Sequence, residues 1–311
     1  MNVSRQRLPD GLLLHEWEPG DPARIRGAIH LVHGSCEHAE RYDHFARYLV
    51  GLGFAVYAAD LRGHGGTAPS RDELGYFGED GGWDAMVEDL HRLTRHIRAK
   101  RPGVPVVMLG HSMGSFLARH YAIVHGMELD GLIAVGTAHH PRLLLRSAVL
   151  TANTAIRRKG SRYRSKLLYK LSYGAYNRRF RPARTPHDWL TRDEAEVDRF
   201  VRDERCGFVL TAAGFRDMFE GLRFITDSAR IRETPKTLPV LLLSGKDDPV
   251  GGYGAMPERA YAAYRQAGLT DVRLKLYDGM RHEILNEIGK EDVYRDIADW
   301  LDRIVTSRRE K

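Results

Sequence analysis

The sequence predicts an α/β fold with a mostly parallel central sheet flanked by helices and interrupted once by a helical insertion. Two observations lead there. Apolar runs of strand character alternate with segments of helical spacing, which is the pattern of a sheet covered on both faces. The alternation then stops for about one hundred residues between two strong strand signals, far too long for an ordinary connection.

The elements follow in chain order. Strand-like runs are "LLLHEW" (12–17), "GAIHLVHG" (27–34), "FAVYAAD" (54–60), "VPVVMLG" (104–110), "LDGLIAVG" (129–136), "LPVLLLSG" (238–245) and "VRLKLYD" (272–278). Most are continuously apolar and bounded by turn residues, as buried strands are. Segments 40–52, 83–100, 113–126, 256–267 and 291–305 carry helical spacing. Between about 137 and 235 the stretches "LLLRSAVLTANTAI" and "SKLLYKLSYGAYNRRF" mix apolar and basic positions at near-helical spacing, and "RDEAEVDRFVRDE" reads as a mixed-charge surface helix. Residues 1–136 and 236–311 are therefore expected to form the core, and 137–235 a helical cap.

At 311 residues and 42% hydrophobic content the chain can bury a substantial core. The N-terminus has no apolar signal-like run, and no stretch approaches a membrane span, so a soluble cytoplasmic protein is expected. Cys36 and Cys206 offer neither a disulfide framework nor metal-ligand spacing. No metal or organic cofactor is implied. The formal net charge of +7 is concentrated. Between Arg142 and Arg184 lie thirteen Lys or Arg and no Asp or Glu, so the remainder carries a net charge of −6. These residues either solvate the outside of cap helices or meet an anionic lipid surface at the membrane periphery. Nucleic acid is not expected as a partner, because no recognition module accompanies the charge.

In open parallel sheets reactive groups gather at the carboxyl ends of strands. Those ends read "HGSCEHAERY", "DLRGHGG", "GHSMG" and "SGKDDPVGG", and "GMRHE" follows the last strand. The pattern G-x-S-x-G around Ser112, after an apolar strand and before helix formers, suits a nucleophile elbow. Taken alone it arises by chance in about one chain in eight of this composition. Its context carries more. A serine hydroxyl needs a base oriented by a carboxylate, and on such an elbow the expected chain order is Ser, then Asp or Glu, then His. Fourteen of the fifteen histidines lie at or before His187, which leaves His282 as the candidate base. Of the adjacent Asp247 and Asp248, Asp248 is favoured because Pro249 biases it toward extended backbone. An acyl-transfer oxyanion needs two fixed donors. Met113 supplies one backbone N–H, and the turn at Gly34–Ser35 supplies the other, assigned to Ser35.

The stretches "HGSCEHAERY" (33–42), "ADLRGHGGT" (59–67), "GHSMGS" (110–115), "SGKDDPVG" (244–251) and "GMRHEILNE" (279–287) together resemble the α/β-hydrolase superfamily. Within it the chain resembles the branch of monoacylglycerol lipases and bacterial lysophospholipases, labelled serine aminopeptidase S33 or Hydrolase_4. Residues 176–208 resemble the cap of bacterial members. The resemblance implies a triad of Ser112, Asp248 and His282, oxyanion amides at Ser35 and Met113, and a lipid ester as substrate. Cys36 stands where many relatives have a small residue; it is either a buried small side chain or, if exposed, a point where oxidation would inhibit. Epoxide hydrolases and haloalkane dehalogenases carry Asp at the elbow, which Ser112 disfavours. An aminopeptidase would need cap acids for the substrate ammonium; the acid-free stretch argues against it, although Asp188, Asp193 and Glu194 lie just beyond, and the triad leaves perhydrolases, carbon–carbon hydrolases and other small-molecule acyl hydrolases open. A non-catalytic binding protein on the same fold usually lacks a triad member, and none is missing here.

Overall fold

The computed structural model describes residues 1–309. One sheet of eight strands organises them: β1 (Asn2–Arg7), β2 (Leu13–Glu18), β3 (Gly27–Val32), β4 (Phe54–Ala59), β5 (Val106–His111), β6 (Gly131–Val135), β7 (Val240–Gly245) and β8 (Val272–Tyr277). Their order across the sheet is β1-β2-β4-β3-β5-β6-β7-β8. The pairs β1/β2 and β2/β4 are antiparallel and every other pair is parallel. Strands β3 to β7 are buried at every residue, which is why they read as continuous apolar runs and not as alternation.

Strand β1 is absent from the sequence-based expectation. All six of its residues are exposed, and "NVSRQR" has no apolar face; pairing with β2 alone makes it a strand. At the opposite edge β8 alternates, with Arg273 turned to solvent, and charge on an edge strand discourages pairing with another chain.

Helices α1 (Asp43–Gly51) and α10 (Lys290–Arg309) cover one face, where Phe45, Leu49, Ile297 and Leu301 pack on Ile29, Leu109 and Ile133. Helices α2 (Gly82–Lys100), α3 (Met113–Val124) and α9 (Ala255–Gln266) cover the other. Between β6 and β7 the chain builds α4 (Arg142–Lys159), α5 (Lys166–Ser172), α6 (Glu194–Arg202), α7 (Ala212–Ile225) and α8 (Ser228–Ile231). The starts of α5 to α8 are written locally: Ser165, Asp193, Thr211 and Asp227 each accept a backbone N–H of the first turn. Helix α7 was not singled out by its pattern. It is buried almost all round, against α2, α3 and α4, although Arg216, Glu220 and Arg223 recur at helical spacing and Arg223 is exposed. Phe215, Met218 and Leu222 of α7 join the same apolar cluster as Phe116 and Leu117 of α3. No helix among the described residues is long and apolar enough to cross a membrane.

Candidate active site

Four strand ends, those of β3, β5, β7 and β8, deliver the candidate residues to one edge of the sheet. At the end of β5 the chain turns sharply through Ser112, whose φ of 52° and ψ of −122° lie outside the ordinary regions for a residue with a side chain. Such a residue costs about 1–3 kcal/mol and persists only where its surroundings dictate it. Here the Ser112 N–H donates to the Val135 carbonyl at 2.9 Å, and Ser115 donates to the Ser112 carbonyl through both its N–H (2.8 Å) and its hydroxyl (2.6 Å). The two glycines of the motif are required by close approach: a Cβ on Gly110 would collide with the Gly114 carbonyl, and one on Gly114 with the carbonyls of Val32 and His33. Ser112 is left half-buried, its hydroxyl free of protein partners among the described residues.

His282 and Asp248 face each other across the loops after β8 and β7. Both Asp248 carboxylate oxygens lie 3.0 Å from His282 Nδ1, and both residues are buried. Asp248 also accepts the Val250 N–H at 2.8 Å and the Ser244 hydroxyl at 3.3 Å, so its orientation is fixed. With a carboxylate at Nδ1 the proton belongs there, and Nε2 is left as an acceptor. Asp247, the neighbouring alternative, is half-buried, and its backbone N–H donates to the Met280 carbonyl at 2.9 Å. Ser112 and His282 line one small cavity of about 40 Å³ together with Ser35 and Trp189.

The Ser35 and Met113 amides have no protein acceptor among the described residues, and both residues border a second cavity of about 290 Å³ that opens on Ser112. The Gly34–Ser35 peptide is held from behind. His33 Nδ1 donates to the Gly34 carbonyl at 2.8 Å, while its Nε2 accepts the Leu61 N–H at 2.9 Å. Burial pushes the His33 imidazole below its usual range and so keeps it neutral. Cys36 is buried at φ 58°, and burial pushes its thiol up, so the reactive thiolate is suppressed.

Under the site runs a buried charged network that the sequence reading quoted but gave no role. Glu37 Oε1 accepts the Gly34 N–H at 2.6 Å and the Tyr42 hydroxyl at 2.7 Å, and lies 3.3 Å from His111 Nδ1. Arg41 donates to Glu37 Oε2 at 2.5 Å and to both oxygens of Glu283 at 2.7 Å. Burial works to raise the Glu37 and Glu283 carboxyls, but Arg41 and His111 together hold both below the usual range. Burial lowers His111, yet Glu37 beside it brings the imidazole above its ordinary value. The signal available in sequence was two acids and an arginine inside the strand-end motifs "HGSCEHAERY" and "GMRHEILNE"; their mutual contact spans 242 positions.

The larger cavity is walled by Leu144, Leu145, Leu171, Met218, Phe219 and Leu222, with Tyr173 and Trp189 above Ser112. Tyr173 and Ser35 are hydrogen bonded through their hydroxyls at 3.1 Å, and the Trp189 ring lies 5.2 Å from that of His282. No Asp or Glu lines it among the described residues. One group of metal-ligand type, His38, Asp203 and Cys206, has donor atoms within 4.8 Å of one another. Arg205 already holds both Asp203 oxygens, at 2.8 and 3.1 Å, and burial keeps the Cys206 thiol protonated.

Residues 23–289 match the family described as serine aminopeptidase, S33 (Hydrolase_4). A monoacylglycerol lipase of Mycolicibacterium smegmatis is 29% identical over 290 residues, covering 92% of this chain and 90% of that protein. The human monoglyceride lipase is 28% identical over 299 residues, covering 93% and 86%. Among solved structures, a thermostable carboxyl esterase from Bacillus coagulans in complex with glycerol superposes with a TM-score of 0.88 at 29% identity, covering 98% of each chain.

Proposed function

The chain belongs to the serine aminopeptidase S33 (Hydrolase_4) family, and from that premise we propose that it is a serine carboxylic-ester hydrolase acting on lipid-like esters of monoacylglycerol or lysophospholipid type. The observation that carries this reading is the cavity of about 290 Å³ on Ser112, apolar along its walls and free of acids among the described residues. An acyl chain fits such walls, whereas a peptide's terminal ammonium would find no counter-ion there. The names of the relatives, monoacylglycerol lipase and monoglyceride lipase, support the same substrate class.

In the proposed cycle His282 Nε2 removes the Ser112 proton as the oxygen attacks the ester carbonyl. The Ser35 and Met113 amides stabilise the oxyanion, and Asp248 stabilises the imidazolium. His282 then gives its proton to the leaving alcohol, which departs and leaves an acyl-enzyme. Water repeats the steps and releases a fatty acid. Residues 137–235 act in this reading as the cap that walls the acyl site.

The same reading extends to the membrane. Leu144 and Leu171 line the cavity and are also 55% and 67% exposed, and Leu143, Leu150 and Leu167 are exposed beside them. With Arg157, Arg158 and Lys159 exposed nearby and no acid in the segment, this edge suits the surface of an anionic membrane, approached from the cytoplasm.

Wild type and Ser112→Ala compared on short and long p-nitrophenyl esters test the reading. Turnover by the wild type alone supports it, and equal rates on every ester overturn it. A second comparison of a monoacylglycerol, a lysophospholipid and an aminoacyl amide tests the substrate class; preference for the amide overturns the lipid assignment.

A further inference from the structure

We propose that Arg41 is a positioning residue that sets the separation between the oxyanion donor and the general base. It grips Glu37 on the loop that carries the Ser35 N–H and Glu283 on the turn that carries His282. The proposal rests on the roles assigned above to Ser112, His282 and Ser35.

The path from one functional group to the other is short at every link. Ser35 shares a peptide with Gly34, whose N–H is held by Glu37 Oε1 at 2.6 Å. Glu37 Oε2 takes Arg41 Nη1 at 2.5 Å, and that nitrogen and Nη2 each reach one Glu283 oxygen at 2.7 Å. Glu283 is the covalent neighbour of His282. Its backbone N–H donates to the Leu190 carbonyl at 2.7 Å, and its Oε2 takes Asn286 Nδ2 at 2.9 Å, so the turn has little freedom left. His33, on the opposite side of the Gly34–Ser35 peptide, completes the clamp through the Gly34 carbonyl. A single guanidinium thus fixes two segments that are remote in sequence and must act on one substrate carbonyl.

The chemistry selects arginine. Two carboxylates must be met by one side chain, and a planar fork with several fixed donors does this where a lysine ammonium, a point charge on a flexible stem, does not. Arg41 is largely buried, with its guanidinium 4.8 Å from the Phe200 ring centroid, so water cannot replace a lost bond freely. Buried ion pairs are weak evidence for stability, because apolar residues of similar volume often serve folding equally well. Here the geometry supplies a use for them.

The test is Arg41→Lys, with kcat expressed per site titrated by a p-nitrophenyl phosphonate that labels Ser112. A misfolded fraction lowers the number of sites, whereas misplacement lowers the rate at each one. The expected result is a kcat per site reduced by about tenfold to a hundredfold, as for a displacement of around 1 Å. KM should stay within about twofold, because ester binding rests on the apolar cavity. The Ki of an alkyl boronic acid, which forms a tetrahedral adduct on Ser112, should rise by the factor that kcat/KM falls. Glu283→Gln keeps the shape and weakens the charge, and carries the same test if the lysine variant does not fold. Folded variants with wild-type kcat per site, losses confined to site number or KM, or failure of both variants to fold overturn the proposal. Wild-type activity no higher than that of Ser112→Ala overturns the active-site reading and this proposal together, whereas an active wild type with an unaffected Arg41→Lys overturns this proposal alone.

Discussion

The two sides of the inserted segment meet the catalytic edge in opposite ways. On the side of His282, residues 187–192 are stapled to the core by directional bonds. Glu283 N–H donates to the Leu190 carbonyl (2.7 Å), Arg281 reaches the carbonyls of Asp188 (2.6 Å) and Thr191 (3.2 Å), and Arg192 pairs with Glu287 (3.0 Å). On the side of the acyl cavity, α4 and α5 carry no acid and turn Leu143, Leu150, Leu167 and Leu171 outward. Polar bonds have fixed geometry and hold the segment that carries His282, the proposed base. Apolar contact is non-directional and tolerates a substrate of variable length, or exchange with lipid.

The comparison can be broken first at its stapled side. Asp248→Asn is expected to lower kcat by on the order of 10⁴ with little change in KM, because the amide presents the wrong hydrogen to Nδ1 and upsets the tautomer. Steady-state kinetics on one soluble ester checks it. Next in size, neutralising Arg157, Arg158 and Lys159 to Gln on the open side should weaken binding to anionic vesicles by on the order of a hundredfold, at about 1 kcal/mol per basic residue. Activity on a soluble short ester should not change, and co-sedimentation beside a soluble assay separates the two. Arg281→Ala removes two bonds to cap carbonyls and should lower kcat on short and long esters alike, by about tenfold. Leu171→Asp, on the open side, should spare short esters and lower kcat/KM on long ones by about tenfold, since burying the acyl chain then desolvates a charge. If Arg281→Ala discriminates by chain length or Leu171→Asp does not, the division of labour between the two sides fails.

The smallest effect concerns α7, which packs beneath α4 on the side of the acyl cavity. Burial pushes the Asp217 carboxyl up to about 6, against the opposing pull of Arg216. A carboxyl that binds its proton more tightly folded than unfolded, where its value is about 4, destabilises the fold once both states are ionised. The contribution of Asp217 to stability should therefore become more favourable as pH falls from about 7 toward 4. Asp217→Asn should raise Tm at pH 7.5 and leave it nearly unchanged at pH 4.5, measured by thermal melts at both values.

Much of this site was legible because its chemistry is tied to local pattern. Ser112 was flanked by glycines that the elbow requires, and His282 was the only histidine after the acid loop. The pairing of Asp248 rather than Asp247 with His282 was only favoured, since two adjacent acids in one loop differ by the direction their side chains take. Glu37, Arg41 and Glu283 escaped notice for another reason. Each is an ordinary charged residue until folding places it against the others, and no spacing within a motif encodes a contact across 242 positions.

Sequence by itself determined the alternation of elements, the place of the long insertion and the residues proposed to carry acyl transfer, because periodicity, turn chemistry and chain order are local or one-dimensional properties. Tertiary structure alone decided that β1 is a strand, that α7 is buried almost all round, and which charges meet beneath the catalytic edge. Those outcomes depend on what surrounds a segment: an exposed polar run becomes a strand only beside a partner, and buried charges persist only where opposite charges and fixed donors meet them.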